Sequence, residues 1–262
     1  MKNIWISALG SRDQSVPRVA AAKAALHAYG LGAAGHFWND ANDKLAWRAA
    51  LEALQEARSD LWLILADGEA MARPAIRYGL SLLAASLRHL RGHAFPIVLL
   101  WPGQVPAEEE RPSLLRAASE LNGSNGAWPA QVVAKAHRGT PAPAPDYRLN
   151  ILGDERLGQW FEIGPREGEW SGAIFAIAGP DAAIDFHAVG PTGGLPQKTV
   201  LEFAQQGLRL TAGERNFTAW AVRNRLDTDT SYYVRVTGCP EAILFLPYAD
   251  DDTAETTIVA LA

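Results

Sequence analysis

The hydrophobic pattern of this chain changes period once, across Arg138-Gly-Thr-Pro-Ala-Pro-Ala-Pro-Asp146, and that change constrains the fold more than any other feature. Before it, helix-length apolar patterns alternate with short β-branched runs. After it, the chain reads strand, turn, strand to its end. Proline at every second position favours an extended, unpaired backbone, which suits a semi-rigid spacer better than a packed element. The expected organisation is therefore an α/β domain over 1–137, a Pro-rich linker over 138–146, and an all-β domain over 147–262, each half of ordinary domain size.

Charge follows the same division. Residues 1–137 hold 14 basic and 12 acidic side chains, and residues 138–262 hold 10 and 17, so the halves carry net +2 and −7. Neither is basic enough for a nucleic-acid partner, and the second would repel phosphate backbones. The single cysteine, Cys239, excludes an internal disulfide framework and any cysteine-based zinc site, and its place after a strand-like run suggests a buried, inert thiol. No apolar run reaches the roughly 18 residues of a membrane span. The opening Met-Lys-Asn-Ile-Trp-Ile-Ser enters a strand pattern with no signal-peptide core, so a cytoplasmic location is expected, with no membrane partner.

In the first half, Ile4–Leu9 reads as a buried parallel strand ending in Gly10-Ser11. Ser15 is placed to cap a helix through Val19–Tyr29, with Pro17 in its first turn. A second strand is expected near His36–Asn39 and closes in Asp40, and Asp43 is expected to cap a helix over Lys44–Ala57. Strand three is the clearest, Ser59–Ala66, closed by Asp67-Gly68, with Asp60 ordering the turn into it. A helix over Pro74–Leu90, a strand over Phe95–Trp101, a helix over Pro112–Leu121 and a strand at Gln131–Ala134 complete five alternations. Such alternation implies right-handed crossovers and a flavodoxin-like parallel sheet in order 2-1-3-4-5, with any ligand at the carboxyl ends of strands one and three.

Trp5-Ile-Ser7, Phe37-Trp-Asn-Asp40 and Ala57-Arg-Ser-Asp-Leu-Trp-Leu-Ile-Leu-Ala66 together resemble a Toll/interleukin-1 receptor (TIR)-like domain over about residues 1–137. The nucleoside deoxyribosyltransferase-like fold shares nearly the same skeleton. The resemblance implies a signalling or defence role, and, in the enzymatic members of both families, a glutamate on the helix after strand three that cleaves an N-glycosidic bond. Here that helix reads Ala72-Arg-Pro-Ala-Ile-Arg-Tyr-Gly-Leu-Ser, with Arg77 or Gly79 where the glutamate belongs. An arginine cannot stabilise a developing cation. The catalytic candidates that remain are Glu69, Asp40 and Ser7.

The expected order gathers ligand-binding candidates on one rim: Gly10, Ser11, Arg12, Asn39, Asp67, Arg73 and Arg77. Gly10-Ser11 before a helix offers free backbone N–H groups, and Arg73 and Arg77 share a helix face. There is no G-x-G-x-x-G or G-x-x-x-x-G-K-[ST] loop and no G-x-S-x-G elbow. His89 and His93 are four apart at a helix end, where a surface role outweighs a metal site. No cofactor is required; a nucleotide or NAD-like ligand at the rim is the candidate.

In the second half ten strands are expected, at Arg148–Leu152, Gln159–Ile163, Gly172–Ile177, Ala183–Val189, Thr199–Phe203, Leu208–Leu210, Asn216–Val222, Tyr232–Thr237, Ala242–Pro247 and Thr256–Leu261, forming a jelly-roll or immunoglobulin-like sandwich. In Ala183–Val189, strict alternation puts Asp185 and His187 on one face, an exposed polar face before a metal site. Asp250-Asp-Asp252 reads as a solvated loop. The preferred reading is an intracellular interaction or ligand-sensing module that self-associates or binds a protein partner. The alternatives are an NAD or nucleoside N-glycosidase or transferase, and a structural assembly subunit.

Overall fold

The short apolar runs of the first half become five parallel strands: β1 (Asn3–Ala8), β2 (Gly32–Phe37), β3 (Leu61–Leu65), β4 (Ile97–Trp101) and β5 (Ser119–Asn122), hydrogen-bonded in the order β2-β1-β3-β4-β5. This is a computed structural model, and it describes residues 1–103, 111–140, 143–249 and 255–262. It divides into two units, Met1–Ala41 with Ala46–Pro143, and Ala144–Ala262 with Asn42–Leu45. The helices of the first unit are α1 (Arg12–Ala28), α2 (Ala46–Glu56), α3 (Gly68–Ala72), α4 (Pro74–Arg91) and α5 (Trp128–Arg138). None among the described residues is long and apolar enough to cross a membrane.

Parallel strands covered by helices bury both faces, which is why β3 and β4 are apolar at every position and buried throughout. One face of the sheet, with Ile4, Ile6, Leu61, Leu63, Leu65 and Val98, packs against Ala22 and Leu26 of α1 and Trp128, Val132 and Ala136 of α5. α2 and α4 pack on each other. Asp60 orders the entry to β3, accepting the Asn3 N–H and pairing with Lys2, both at 2.8 Å.

Several local expectations are corrected. α1 begins at Arg12, so Ser15 lies inside it, buried, with its hydroxyl donating to the Leu9 carbonyl at 2.9 Å. Pro17 is also interior and leaves the Asp13 carbonyl without its helical donor. β2 starts at Gly32 because its pairing with β1 runs from Asn3↔Gly32 to Ala8↔Phe37. Gly35 is required there, since a Cβ would sit 2.1 Å from the Ile6 carbonyl oxygen. Asp43 falls in a 3-10 turn, Asn42–Lys44, ahead of α2. The last alternation is shifted: strand five is Ser119–Asn122 instead of Gln131–Ala134, which lies within α5, and the expected helix over 112–121 is only a 3-10 turn at Ser113–Leu115.

Among its described residues the second unit has nine strands: β6 (Tyr147–Asp154), β7 (Gly158–Pro165), β8 (Ala173–Ala178), β9 (Ala183–Pro191), β10 (Gln205–Ala212), β11 (Arg215–Val222), β12 (Thr230–Thr237), β13 (Ala242–Pro247) and β14 (Thr257–Ala260). They form two antiparallel sheets, β6-β7-β12-β9 and β10-β11-β8-β13-β14. Rings from the two sheets meet between them: Phe161 against Phe175 at 5.4 Å, Tyr147 against Phe245 at 4.9 Å, and His187 against Trp220 at 4.7 Å between centroids. Thr199–Phe203 is not a strand. The pairing of β9 with β12 shifts between Arg235 and Val236, and this bulge breaks the expected alternation. His187 is buried on Tyr232 and Trp220, whereas Asp185 pairs with Arg235 at 2.8 Å beside an exposed Phe186, so Asp185 and His187 do not share a face. Cys239 is exposed. Asp250-Asp-Asp252 lies outside the described residues.

Candidate functional site

Where β1 ends, the Leu9 N–H donates to the Leu65 carbonyl, and the chain then turns through Gly10 at φ +95° into α1. That left-handed backbone suits glycine alone and brings the turn against the Asp67 side chain. Asp67 closes β3 and caps α3, accepting the Ala70 N–H at 2.8 Å. Its other carboxylate oxygen lies 3.8 Å from Arg18, whose guanidinium also donates to the Ala66 carbonyl. Arg73, between α3 and α4, reaches Asp40 beyond the end of β2 at 3.1 Å.

These elements enclose a cleft of about 510 Å³ lined by Gly10, Ser11, Gln14, Asp40, Asp67 and Glu69 with Arg73, and walled by Trp38, Ala70 and Ile76. Its floor is the N-terminal end of α1. Ser11 caps that helix without a side-chain cap bond, its hydroxyl donating to Gln14 Oε1 at 3.0 Å, and no capping side chain takes up the first-turn N–H groups. Asp40 and Asp67 each have an arginine; Glu69 has no ion-pair partner among the described residues. The Trp38 indole N–H is buried without a hydrogen-bond acceptor. The lining thus offers carboxylates for hydroxyl and amino groups, backbone amide donors, and an aromatic wall.

Six candidates from the sequence meet here: Gly10, Ser11, Asp40, Asp67, Glu69 and Arg73. Four do not line the cleft. Arg12 lies over the Phe37 ring at 5.0 Å. Asn39 closes a local turn, accepting the Ala41 N–H. Arg77 is half-buried one turn into α4, its Nε without a hydrogen-bond acceptor. Ser7 is wholly buried and accepts a hydrogen bond from Trp62 Nε1 at 2.8 Å. Gln14, Trp38, Ala70 and Ile76 were missed. Gln14 follows Gly10 by one helical turn, which is the only signal that pointed to it.

Ser7 also lies 3.5 Å from His36 Nε2, but the pair is not a nucleophile and its base. Trp5 donates its indole N–H to His36 Nδ1 at 3.0 Å. An indole can only donate, so Nδ1 is the acceptor and the neutral ring carries its proton on Nε2, towards Ser7. Burial holds the imidazole pKa down to about 4. The Trp5–His36–Ser7–Trp62 chain is a polar bridge within the sheet. Among the described residues no three His, Cys, Asp or Glu side chains converge as metal ligands.

No family model matches the chain, and no curated protein matches it. Among solved structures, a 3-dehydroquinate dehydratase-like protein from Bifidobacterium longum aligns with 52% of this chain and 97% of its own, at 11% identity and a TM-score of 0.33. A two-domain esterase active on acetylated mannans aligns with 99% of this chain and 90% of its own, at 10% identity and a TM-score of 0.31. Neither likeness carries a functional conclusion for this chain.

Proposed function

We propose that this chain is a ligand-sensing module of the signalling or defence kind, in which the α/β unit binds a small polar molecule, nucleotide-like or NAD-like, in the cleft at the ends of β1 and β3, and the β-sandwich unit recognises a protein partner. The observation that carries this reading is the convergence of polar side chains, open helix N–H groups and an aromatic wall on one cavity; a flat or filled rim would instead suit protein contacts. The binding role is preferred to catalysis because α4 presents Arg77 and Gly79 where an N-glycosidase of the TIR-like kind needs a carboxylate.

A second reading rests on Glu69, an unpaired carboxylate in the same cleft that could support charge at an anomeric carbon. One experiment separates the two. Purified protein is titrated with NAD and with nucleosides by calorimetry, and the same mixtures are assayed for nicotinamide or free base. Saturable binding without base release, lost in Asp67→Ala, is the expected result. Base release that disappears in Glu69→Gln would establish the enzymatic reading instead, and absence of heat with every probe would remove both.

A further inference from the structure

β10 is the end strand of its sheet: β11 pairs along one side, and no strand of the described residues pairs along the other. The two strands are joined by Gly213, at φ +59°, and Glu214. In a two-residue hairpin the closing pair, here Ala212 and Arg215, exchanges both backbone hydrogen bonds, and bonded and non-bonded pairs alternate from there. Leu208, Leu210 and Ala212 therefore direct their backbone groups at β11. Arg209 and Thr211 direct theirs to the open side, where no described residue supplies a partner.

Edges of this kind are ordinarily blunted by charge or proline. Leu208–Ala212 carries no proline and one charge, Arg209, whose guanidinium donates to Thr218 on β11 at 2.8 Å instead of guarding the edge. Just upstream, Val200 and Phe203 are, after Met1, the most exposed large apolar side chains among the described residues, at 79% and 77%. They are not on a loose loop. The buried Asn224 accepts the Glu202 N–H and donates to the Val200 carbonyl, the Arg223 N–H donates to the Glu202 carbonyl, and the Thr199 hydroxyl bonds both backbone groups of Val189. Phe203 is held at φ +47°, a left-handed backbone that is rare for a bulky residue.

We propose that this edge is an interface between two copies of the chain, in which β10 pairs antiparallel with its own counterpart about Leu210, joining two sheets into one. Antiparallel self-pairing is two-fold symmetric, so a single edge serves both copies. A register centred on Leu210 meets these requirements. It sets Arg209 opposite the partner's Thr211, and these are the residues whose backbone groups point outward, so both pairs are hydrogen-bonded. It also lines Leu208, Leu210 and Ala212 against the partner's Ala212, Leu210 and Leu208 as one apolar strip. Centring on Arg209 would oppose two like charges.

Sedimentation equilibrium of the full chain tests the proposal. The weight-average mass should rise with concentration from one chain to two. Thr211→Pro removes an outward N–H without touching the pairing to β11, and should stay monomeric. If that variant does not fold, the exposed charge substitutions decide. Thr211→Glu faces the partner's Arg209 and should tighten the dimer about five-fold, and Thr211→Arg should weaken it by about the same factor. Phe203→Asn, better suited to the left-handed backbone and outside the paired segment, should raise the thermal midpoint and leave association unchanged. A wild-type chain that stays monomeric overturns the proposal. So does a Thr211→Pro dimer of wild-type strength, or a shift in the same direction for both charge variants.

Discussion

Two clusters of polar side chains, one in each unit, look alike in composition and differ in what surrounds them. At the ends of β1 and β3, Asp40, Asp67, Glu69 and Arg73 stand around a cavity, partly exposed and only partly paired. On the four-stranded sheet of the β unit, Glu162 is completely buried and fully satisfied. One of its oxygens accepts the Gly193 N–H at 2.8 Å and faces the Tyr233 hydroxyl at 3.1 Å; the other accepts from Asn150 at 3.0 Å. Arg148 nearby binds Thr192, Ser231 and the carbonyls of Asp227 and Thr230, and burial lowers its pKa against the pull of Glu162. Both clusters contain carboxylates and arginine. Only the first opens its donors and acceptors onto a cavity, which makes it the candidate site; in the second even the unpaired Arg148 Nε is buried, and the cluster is scaffold that pins the loop after β9.

The contrast breaks most easily at Glu162. Glu162→Ala strands the Gly193 N–H, the Asn150 amide and the nearby guanidinium in a buried setting, and should cost about 3–5 kcal/mol in urea unfolding. Ligand binding in the α/β unit should be unchanged in whatever fraction remains folded. A loss below about 1 kcal/mol would mean the network is not the scaffold described.

A smaller effect comes from the buried bridge at His36. The unfolded chain protonates this ring near 6.5 and the folded chain only at about 4. Its contribution is therefore complete above pH 6.5, falls as the pH drops through 6.5 to 4, and levels off below that. The window corresponds to about 3 kcal/mol. His187 shifts in the same direction through burial, so wild type alone does not isolate His36. The difference between wild type and His36→Gln, followed as the urea midpoint against pH, should carry the His36 share, and parallel curves for the two would refute the assignment.

The fold was legible in the sequence where burial is two-sided, and failed where it is not. Leu61-Trp-Leu-Ile-Leu65 announces a parallel strand because every side chain is apolar. β5 is Ser-Glu-Leu-Asn, with a single apolar residue, and could not compete with Gln131-Val-Val-Ala134, whose β-branched pair imitates a strand. The helical spacing of Trp128, Val132 and Ala136 was the signal that should have decided it. β2, Gly-Ala-Ala-Gly-His-Phe, has one strand former, Phe37 at its end, and is defined by its register to β1. At the site, the strand order alone brings Gly10, Asp40, Asp67 and Glu69 together, whereas the placement of Trp38 depends on side-chain direction at a strand end. The Glu162 cluster was invisible, because its partners lie 12, 31 and 71 residues away.

The finest comparison lies inside the cleft, between two neighbouring acids. Asp67 is both a lining residue and the cap of α3, held between the Ala70 N–H and Arg18. Asp67→Ala should lower stability by about 1 kcal/mol as well as abolishing binding, because it removes a cap and a ligand contact together. Glu69 has neither attachment, so Glu69→Gln should leave the thermal midpoint where it is. Its effect should fall on affinity alone, as a several-fold weakening measured by calorimetry with the probe that wild type binds. A residue that matters to the ligand and not to the fold is what a binding site adds to a scaffold. If Glu69→Gln instead binds as wild type does, recognition belongs to Asp67, the α1 N–H groups and Trp38, and the cleft is narrower in function than its lining suggests.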